Sequence, residues 1–357
     1  MRRSMRSAHF PRASKAFLLC HSALSIGHHA LSTDMPASDL AREIIAPDER
    51  AVTTEFVAFL KAASARRDPT GTIRRFNQGR ASGCVDAEFV VDDGLAADFK
   101  VGVFARPRSY RAWIRFANAS SSSDREKDVR GMSITVHDVE GENLTTGVRR
   151  QDFLLNSHPV MMVPGTREFL DLLRAAEAGG ARRVFYFLSH PTAARVALAS
   201  RRNHTSHLDI PYWSATPYLF GAGRAVKYIV RPSSTHASAL PDPLTDTYLH
   251  DALRARLREG GAVFEFLVQV QTDSRTMPIE DATVEWSERQ SRYVRVARLV
   301  IPRQDIDAPT RGIMCEEVAF SPWHCLAEHR PLGGMNRARR EIYEQMAQFR
   351  ASRRATT

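Results

Sequence analysis

The chain has little cysteine: four residues among 357, at positions 20, 84, 315 and 325. None has CxxC spacing, and the density is far below that of small proteins built on a disulfide framework. This pattern favours a reducing compartment, so a cytoplasmic location is predicted. Cys84 opens a strand-like run and is expected to be a buried, inert thiol.

Long apolar runs and the common catalytic signatures are also missing. No run approaches the ~20 apolar residues that span a bilayer, so no transmembrane segment is expected. GxGxxG, P-loop, GxSxG and HExxH are absent, which excludes the commonest nucleotide-binding, acyl-transfer and zinc-protease interpretations. His204 and His207 have metal-like spacing, but no Cys or carboxylate pair flanks them, so a surface loop is expected.

The positive charge is concentrated at the two ends of the chain. The net charge is +10, but residues 1–34 hold five basic residues against one acidic, and residues 327–357 hold seven arginines against three glutamates. The interior is nearly balanced, so no nucleic-acid partner is predicted. Residues 1–37 are predicted to be a disordered basic extension and residues 351–357 a disordered tail. Residues 16–31 faintly resemble a signal peptide, which leaves a targeting role for residues 1–34 open.

The chain between these ends reads as strands, helices, more strands and a last helix. Residues 38–64 have helical periodicity. Strand-like runs separated by turn residues then occupy 84–91, 99–105, 112–118, 131–138 and 151–155, with later runs at 225–231, 263–271 and 294–301. Residues 167–178 and 181–200 are predicted to be helical. This order indicates an α+β fold in which a closed antiparallel barrel has helices packed outside it.

The last predicted helix carries two lines of side chains. Its apolar line consists of Met335, Ala338, Ile342, Met346 and Phe349. Arg339, Tyr343 and Arg350 form a second line on one side of the same helix. Two guanidiniums beside a phenol suit an anionic planar ligand, and an arginine-rich surface helix is the simpler alternative.

Six short motifs in order decide between these alternatives. They are Arg75-Phe-Asn-Gln78, Trp113-Ile-Arg115-Phe116, Asp128-Val-Arg130-Gly131, Asn156-Ser-His158-Pro-Val-Met161-Met162, Phe169, and Arg339-xxx-Tyr343. Together, from about residue 70 to 350, the chain resembles the haem catalase family, in particular its short members. The resemblance implies an eight-stranded antiparallel barrel enclosing haem b (iron protoporphyrin IX), a catalase-like haem domain at 38–350 and a haem-ligating C-terminal helix.

On the proximal side the resemblance implies a complete haem site. Tyr343 matches the tyrosine that holds the haem iron, and Arg339 matches the arginine four residues before it. A free phenol has a pKa near ~10, so a phenolate ligand needs positive charge beside it. Arg75, Arg115 and Arg350 match the residues that bind the haem propionates, as guanidinium–carboxylate pairs can.

On the distal side the match is incomplete. Gln78 stands where the family has its acid–base histidine, and Ala117 replaces the serine that serves that histidine. Asn156 matches the distal asparagine and Phe169 the phenylalanine over the pocket. An access channel is implied for three more residues: Asp128, Met161 and Met162.

Two interpretations of Gln78 stay open. It is either a real substitution or a sign that another histidine, such as His158, fills the role. An amide hydrogen-bonds but has no accessible pKa for proton transfer.

The predicted function is a haem-dependent, catalase-related oxidoreductase acting on hydrogen peroxide or organic hydroperoxides, including lipid-type ones. Weak true catalase activity is expected because of Gln78. The alternative is a haem-binding sensor or store without peroxide turnover. A homo-oligomer is compatible with the sequence.

Overall fold

The computed structural model describes residues 39–70, 73–235 and 238–354. The basic extension predicted for residues 1–37 lies outside the described residues, as do residues 355–357 of the predicted tail. Across the described part, no helix has the length and apolar composition needed to cross a membrane.

One antiparallel sheet closes on itself as a barrel. Its strands are β1 (Ala81–Val91), β2 (Ser109–Asn118), β3 (Arg130–His137), β4 (Arg150–Asn156), β5 (Tyr212–Trp213), β6 (Tyr218–Leu219), β7 (Ala225–Pro232), β8 (Ala262–Val270) and β9 (Tyr293–Ile301). Each of β1 to β4 pairs with the next, β9 joins β1 to β8, and the two-residue β5 pairs with both β4 and β7. The predicted barrel of eight strands is confirmed, and β6 is an extra strand on β7.

The barrel interior is a packed aromatic core. Phe153 of β4 lies 5.9 Å from Phe89 of β1 and 4.7 Å from Phe266 of β8, measured between ring centroids. Alternation along β3 sends Met132, Ile134 and Val136 into this core. Its residues Gly131 and Ser133 therefore face outward, towards the helices. The candidate residues therefore lie on the outer face of the barrel, while apolar side chains pack its interior. That the barrel encloses a haem stays a prediction.

Seven helices accompany the barrel among the described residues. They are α1 (Glu49–Arg67), α2 (Thr166–Ala178), α3 (Gly180–Ser189), α4 (Pro191–Ser200), α5 (Tyr248–Glu259), α6 (Pro309–Glu317) and α7 (Gly334–Arg354). Apolar side chains of α1, α2 and α7 form one cluster that includes Phe56, Leu170 and Met346. The apolar line predicted on the last helix is therefore confirmed as a packing face.

Several predicted boundaries differ from the structure. The strand predicted at 99–105 is replaced by two 3₁₀ turns, Ala97–Phe99 and Gly102–Phe104. Gly102 has a φ of +52° and lies against His329, where a Cβ would come within 2.4 Å of Nε2, so the chain turns there. The helix predicted at 181–200 is divided at Pro191. Helix α7 continues to Arg354, so residues 351–354 of the predicted disordered tail are helical.

The cysteine and histidine expectations need correction. Cys84 is bonded to Cys315 in a disulfide that joins β1 to α6 across 231 residues, so the prediction of an inert thiol is wrong. The bond also removes the ground on which a reducing compartment was predicted. His207 is fully buried and hydrogen-bonds to Ser82 Oγ at 2.9 Å and Tyr212 Oη at 3.0 Å, so it does not lie in a surface loop.

Candidate functional site

The distal candidates meet on the outer face of the barrel. Asn156, the last residue of β4, lies directly opposite Gly131 of β3, and Gly131 in turn lies opposite Ala117 of β2. The side chain of Gln78 packs against Gly131, where an added Cβ would lie 2.5 Å from Gln78 Nε2. The absence of a side chain at Gly131 therefore gives Gln78 its place beside Asn156.

Gln78 is held there through its backbone. It has a φ of +54°, and its N–H donates to the Ala119 carbonyl at 2.8 Å and to Asn77 Oδ1 at 3.0 Å. Its side-chain Oε1 accepts a long hydrogen bond of 3.5 Å from the Ser133 hydroxyl. The backbone of Gln78 is thus anchored, whereas its side-chain amide is only weakly held. A weakly held amide is suited to hydrogen-bond to a small ligand.

Two of the three predicted propionate arginines converge one row further along the same face. Arg115 on β2 has a side chain only 2% exposed, and Arg75 precedes the barrel with a side chain 13% exposed. Both contact the carboxylate of Glu316, Arg75 through Nη1 at 2.9 Å and Arg115 through Nη2 at 3.5 Å. The pair is an anion site, and it holds a carboxylate in this structure.

Burial disfavours the charged form of Arg115. Burial, followed by the charge of Arg75, lowers the pKa of Arg115 to about 10, and Arg350 acts in the same direction. The Glu316 carboxylate opposes these effects. The Nε of Arg115 is buried and has no hydrogen-bond partner among the described residues. Arg350 of α7 therefore lies within electrostatic reach of Arg115.

Helix α7 presents the proximal candidates. Arg339 Nη1 donates to Asn336 Oδ1 at 3.0 Å and to Thr216 Oγ1 at 3.3 Å. Asn336 is fully buried, and its own amide donates to the Pro217 and Leu332 carbonyls at 2.9 and 3.0 Å. Arg339 is therefore oriented by a buried amide one turn earlier on the helix.

Two tyrosines lie close to Arg339. Tyr343 is half-buried on α7, one turn after Arg339. Tyr218 is fully buried, and burial raises its pKa to about 12 although Arg339 opposes the shift; Tyr343 adds to it. Tyr218 therefore stays a neutral phenol, and Tyr343 is the less buried of the two phenols.

The start of α7 is fixed by a partly buried ion cluster. Arg337 contacts Glu43 at 2.6 Å, Glu49 at 2.7 Å and Glu280 at 3.1 Å. Burial opposes ionisation of Glu43, but hydrogen bonds from Gly333, Arg330 and Arg337 outweigh it and lower its pKa. The cluster joins the helix that carries Tyr343 to Glu43 before α1, to Glu49 at the start of α1, and to Glu280 in the segment between β8 and β9.

An apolar wall stands beside these residues. Met161, Met162 and Phe169 pack with Met335 of α7 in one cluster. Phe169 also meets Phe56 of α1 edge to face, with ring centroids 5.7 Å apart. All three predicted pocket residues are thus brought together, and Met side chains make such a wall adaptable.

Two further candidates, Asp128 and His158, have contacts of their own. The Asp128 carboxylate is 2% exposed and accepts hydrogen bonds from the backbone N–H groups of Ser120, Ser121 and Val129 and from the Ser120 hydroxyl. These contacts give it a structural role in the serine loop, and its assignment to a channel stays a prediction. Burial, followed by the charge of Arg202, lowers the pKa of His158, whose N–H donates to Asn156 Oδ1. No described hydrogen bond joins the His158 ring to Gln78.

Three contributors to the site were not found from the sequence. Glu316 and Thr216 lie in stretches without a motif. Asn336 is part of the last-helix stretch, and its spacing three residues before Arg339 was the one available signal, since such pairs share a helix face.

No protein-family model matches the chain. It is 27% identical over 229 residues to a catalase-related peroxidase of Mycolicibacterium paratuberculosis (strain ATCC BAA-968 / K-10), a match covering 59% of this chain and 68% of that protein.

Solved structures extend the comparison. A fungal catalase matches with a TM-score of 0.64 and 15% identity over 80% of this chain and 61% of its own. Catalase A of Saccharomyces cerevisiae matches with a TM-score of 0.64 and 13% identity, over 80% of this chain and 63% of its own. A bacterial catalase matches with a TM-score of 0.64 and 14% identity, over 81% of this chain and 60% of its own. The chain spans about three fifths of the length of these catalases. It is therefore catalase-like, in fold by these structures and in sequence by its similarity to a catalase-related peroxidase.

Proposed function

We propose that the chain is a haem-dependent peroxidase that consumes hydrogen peroxide or organic hydroperoxides and has only weak catalase activity. One observation carries the proposal: the anion site of Arg75 and Arg115 lies on the same outer face of the barrel as Gln78 and Asn156. Arg350 of α7, the helix that also carries Arg339 and Tyr343, lies within electrostatic reach of Arg115. The mycobacterial relative, named a catalase-related peroxidase, supports the same activity.

The residues present fit haem b. The buried guanidinium of Arg115 has an Nε without a hydrogen-bond partner among the described residues, and the arginine pair binds a carboxylate in this structure. Tyr343 would hold the iron, with Arg339 favouring its phenolate, and Arg75, Arg115 and Arg350 would hold the propionates. When bound, the haem would supply the redox chemistry of the peroxide O–O bond.

The chain's own residues then limit what that chemistry can do. Gln78 and Asn156 can orient a peroxide by hydrogen bonds, but neither amide can take a proton and return it. General acid–base catalysis is worth roughly 10²- to 10⁴-fold, and dismutation of hydrogen peroxide should be slower by about that factor. Met161, Met162 and Phe169 offer an apolar wall for a hydroperoxide with a hydrocarbon chain.

A matched pair of tyrosine variants tests the proposal. Tyr343→Phe should lose stoichiometric haem, read from the Soret band. Tyr218→Phe, which alters a buried neutral phenol near the same arginine, should keep it. The wild type should consume tert-butyl hydroperoxide and fatty-acid hydroperoxides with an electron donor present. Vigorous O₂ release from hydrogen peroxide would contradict the weak-catalase proposal. A Soret band without consumption of any hydroperoxide would favour the sensor or storage alternative.

A further inference from the structure

Glu316 occupies the arginine site with a carboxylate that belongs to the chain itself. Its Oε2 lies 2.9 Å from Arg75 Nη1, and its Oε1 lies 3.5 Å from Arg115 Nη2. Arg75 Nη2 also donates to the backbone carbonyls of Glu316 at 3.0 Å and Val318 at 2.8 Å. The end of α6 and the residues after it therefore wrap around Arg75.

A covalent bond holds this segment in place. Cys315, the residue before Glu316, is bonded to Cys84 of β1, and Cys84 lies opposite Arg115 in the β1–β2 ladder. Both cysteines are buried, at 6% and 4% exposure, whereas the Glu316 side chain is 51% exposed. Glu316 is thus a solvent-facing carboxylate on a short tether fixed beside Arg115.

The location of this carboxylate has an electrostatic reason. Two guanidiniums at one place repel each other, and one of them is almost wholly buried, so the pair needs an anion whenever no ligand is bound. A ligand carboxylate would need the same Nη groups that Glu316 contacts. The two carboxylates cannot both make these contacts.

We propose that Glu316 is a tethered competitor for the arginine pair: its carboxylate neutralises Arg75 and Arg115, and a carboxylate-bearing ligand must displace it to bind them. Glu316 therefore limits the affinity for that ligand and acts as a positioning and specificity residue rather than a catalytic one. The inference rests on the proposed function where the ligand is taken to be haem.

The first test measures haem retention. Haem-loaded Glu316→Gln and wild type are mixed with excess apomyoglobin, and the rate of haem transfer is followed at the Soret band. Removing the competitor should slow haem loss by about two- to fivefold, the scale of a partly exposed ion pair. Glu317→Gln is the matched control, since Glu317 is an exposed neighbour on the same helix. Faster or equal haem loss from Glu316→Gln would overturn the proposal.

A second variant removes the tether and keeps the carboxylate. Cys84→Ser combined with Cys315→Ser frees the end of α6, so Glu316 should compete less well and haem loss should again be slower than in the wild type. Haem loss faster than in the wild type, in a variant whose thermal unfolding stays cooperative, would contradict the tether.

A test without haem separates this inference from the proposed function. The ligand-free protein is treated with phenylglyoxal, which modifies arginines, and peptide masses report modification at each site. Arg75 should react at least about twofold faster in Glu316→Gln, as expected when a partly exposed ion pair is lost. Arg74, exposed and paired with Asp68, is the internal reference. Equal reactivity of Arg75 in both proteins would overturn the inference. If the wild type binds no haem and Arg75 still becomes more reactive, the proposed function fails and the competitor contact stands.

Discussion

The side-chain amide of Gln78 lies directly against Gly131, so close that a methyl group on the glycine would come within 2.5 Å of Gln78 Nε2. Gly131 is also the cross-strand partner of Asn156. Gly131 therefore leaves room for the Gln78 amide on the strand face next to Asn156.

Gln78→His should raise the rate of hydrogen peroxide dismutation. The backbone hydrogen bonds of residue 78 to Ala119 and Asn77 do not depend on its side chain, so a histidine ring would enter the same place and supply a titratable group. The expected gain is up to about 10²-fold, at the low end for acid–base catalysis because Ala117 offers no hydroxyl to orient the ring. Oxygen evolution measures it. Gln348→His, the same change at an exposed position of α7, is the control, and an equal gain there would argue against a distal role for residue 78.

Asn336→Ala should weaken the proximal site. The substitution removes the acceptor of Arg339 and leaves Thr216 without its amide partner in a buried place. We expect a shifted Soret maximum together with a loss of about 1–3 kcal/mol in the free energy of unfolding, the usual scale for an unsatisfied buried polar group. Gln348→Ala, at an exposed position on the same helix, should change neither. An unchanged Soret maximum with lowered stability would show that Asn336 serves packing alone.

Arg337→Met should destabilise the fold by about 3 kcal/mol, because it leaves Glu43, Glu49 and Glu280 close together without their shared cation. Urea unfolding measures the loss. Adding Glu43→Gln to this variant should restore part of it. Arg340→Met, whose guanidinium lies 5.0 Å from the Trp323 ring on the exposed side of α7, should cost far less. Equal losses at 337 and 340 would contradict the cluster's role.

Buried histidines should make the fold labile in mild acid. Burial lowers the pKa of His204 and of His329 to about 4 and that of His207 well below its ordinary value. The unfolded chain takes up protons near pH ~6.5, so between about pH 6.5 and 4 it binds protons that the folded chain does not. The stability that the three neutral histidines contribute is therefore complete above pH ~6.5. Below that pH the free energy of unfolding falls, by up to ~1.4 kcal/mol per pH unit for each histidine.

Urea unfolding at several pH values measures this slope. His329→Gln should make it shallower, since the amide can still accept the hydrogen bond from the Val103 N–H without titrating. A slope identical to that of the wild type would exclude His329 as a contributor.

The barrel was predictable because its long strands alternate. The runs that became β1 to β4 and β7 to β9 each expose one face to the aromatic core, so their periodicity is strong. The strand β5 was not predicted, because a strand of two residues is too short to show an alternation of apolar and polar side chains. The run at 99–105 was mistaken for a strand since its alternation resembles one, and the contact of Gly102 with His329 that turns it comes from a residue far away in the sequence.

The candidate site was predictable only where a motif marked it. Arg75, Arg115 and Tyr343 stood in recognisable stretches, and the structure places the two arginines together. Glu316 and the Cys84–Cys315 bond could not be found, because the bond joins residues 231 positions apart and spacing along the chain says nothing about such a pair.

The strand β5 closes the barrel, and it does so with the fewest paired residues of any barrel strand described. One residue pair, Asn156 with Trp213, joins it to β4, and two pairs join it to β7, whereas β1 and β2 share nine. Local opening begins where few ladder contacts must break, so amides along this seam should exchange with solvent before those of the other barrel strands. Asn156 lies on the seam itself. A ligand that hydrogen-bonds to Asn156 would therefore slow amide exchange in β5, which makes hydrogen exchange of that short strand a reporter of distal binding.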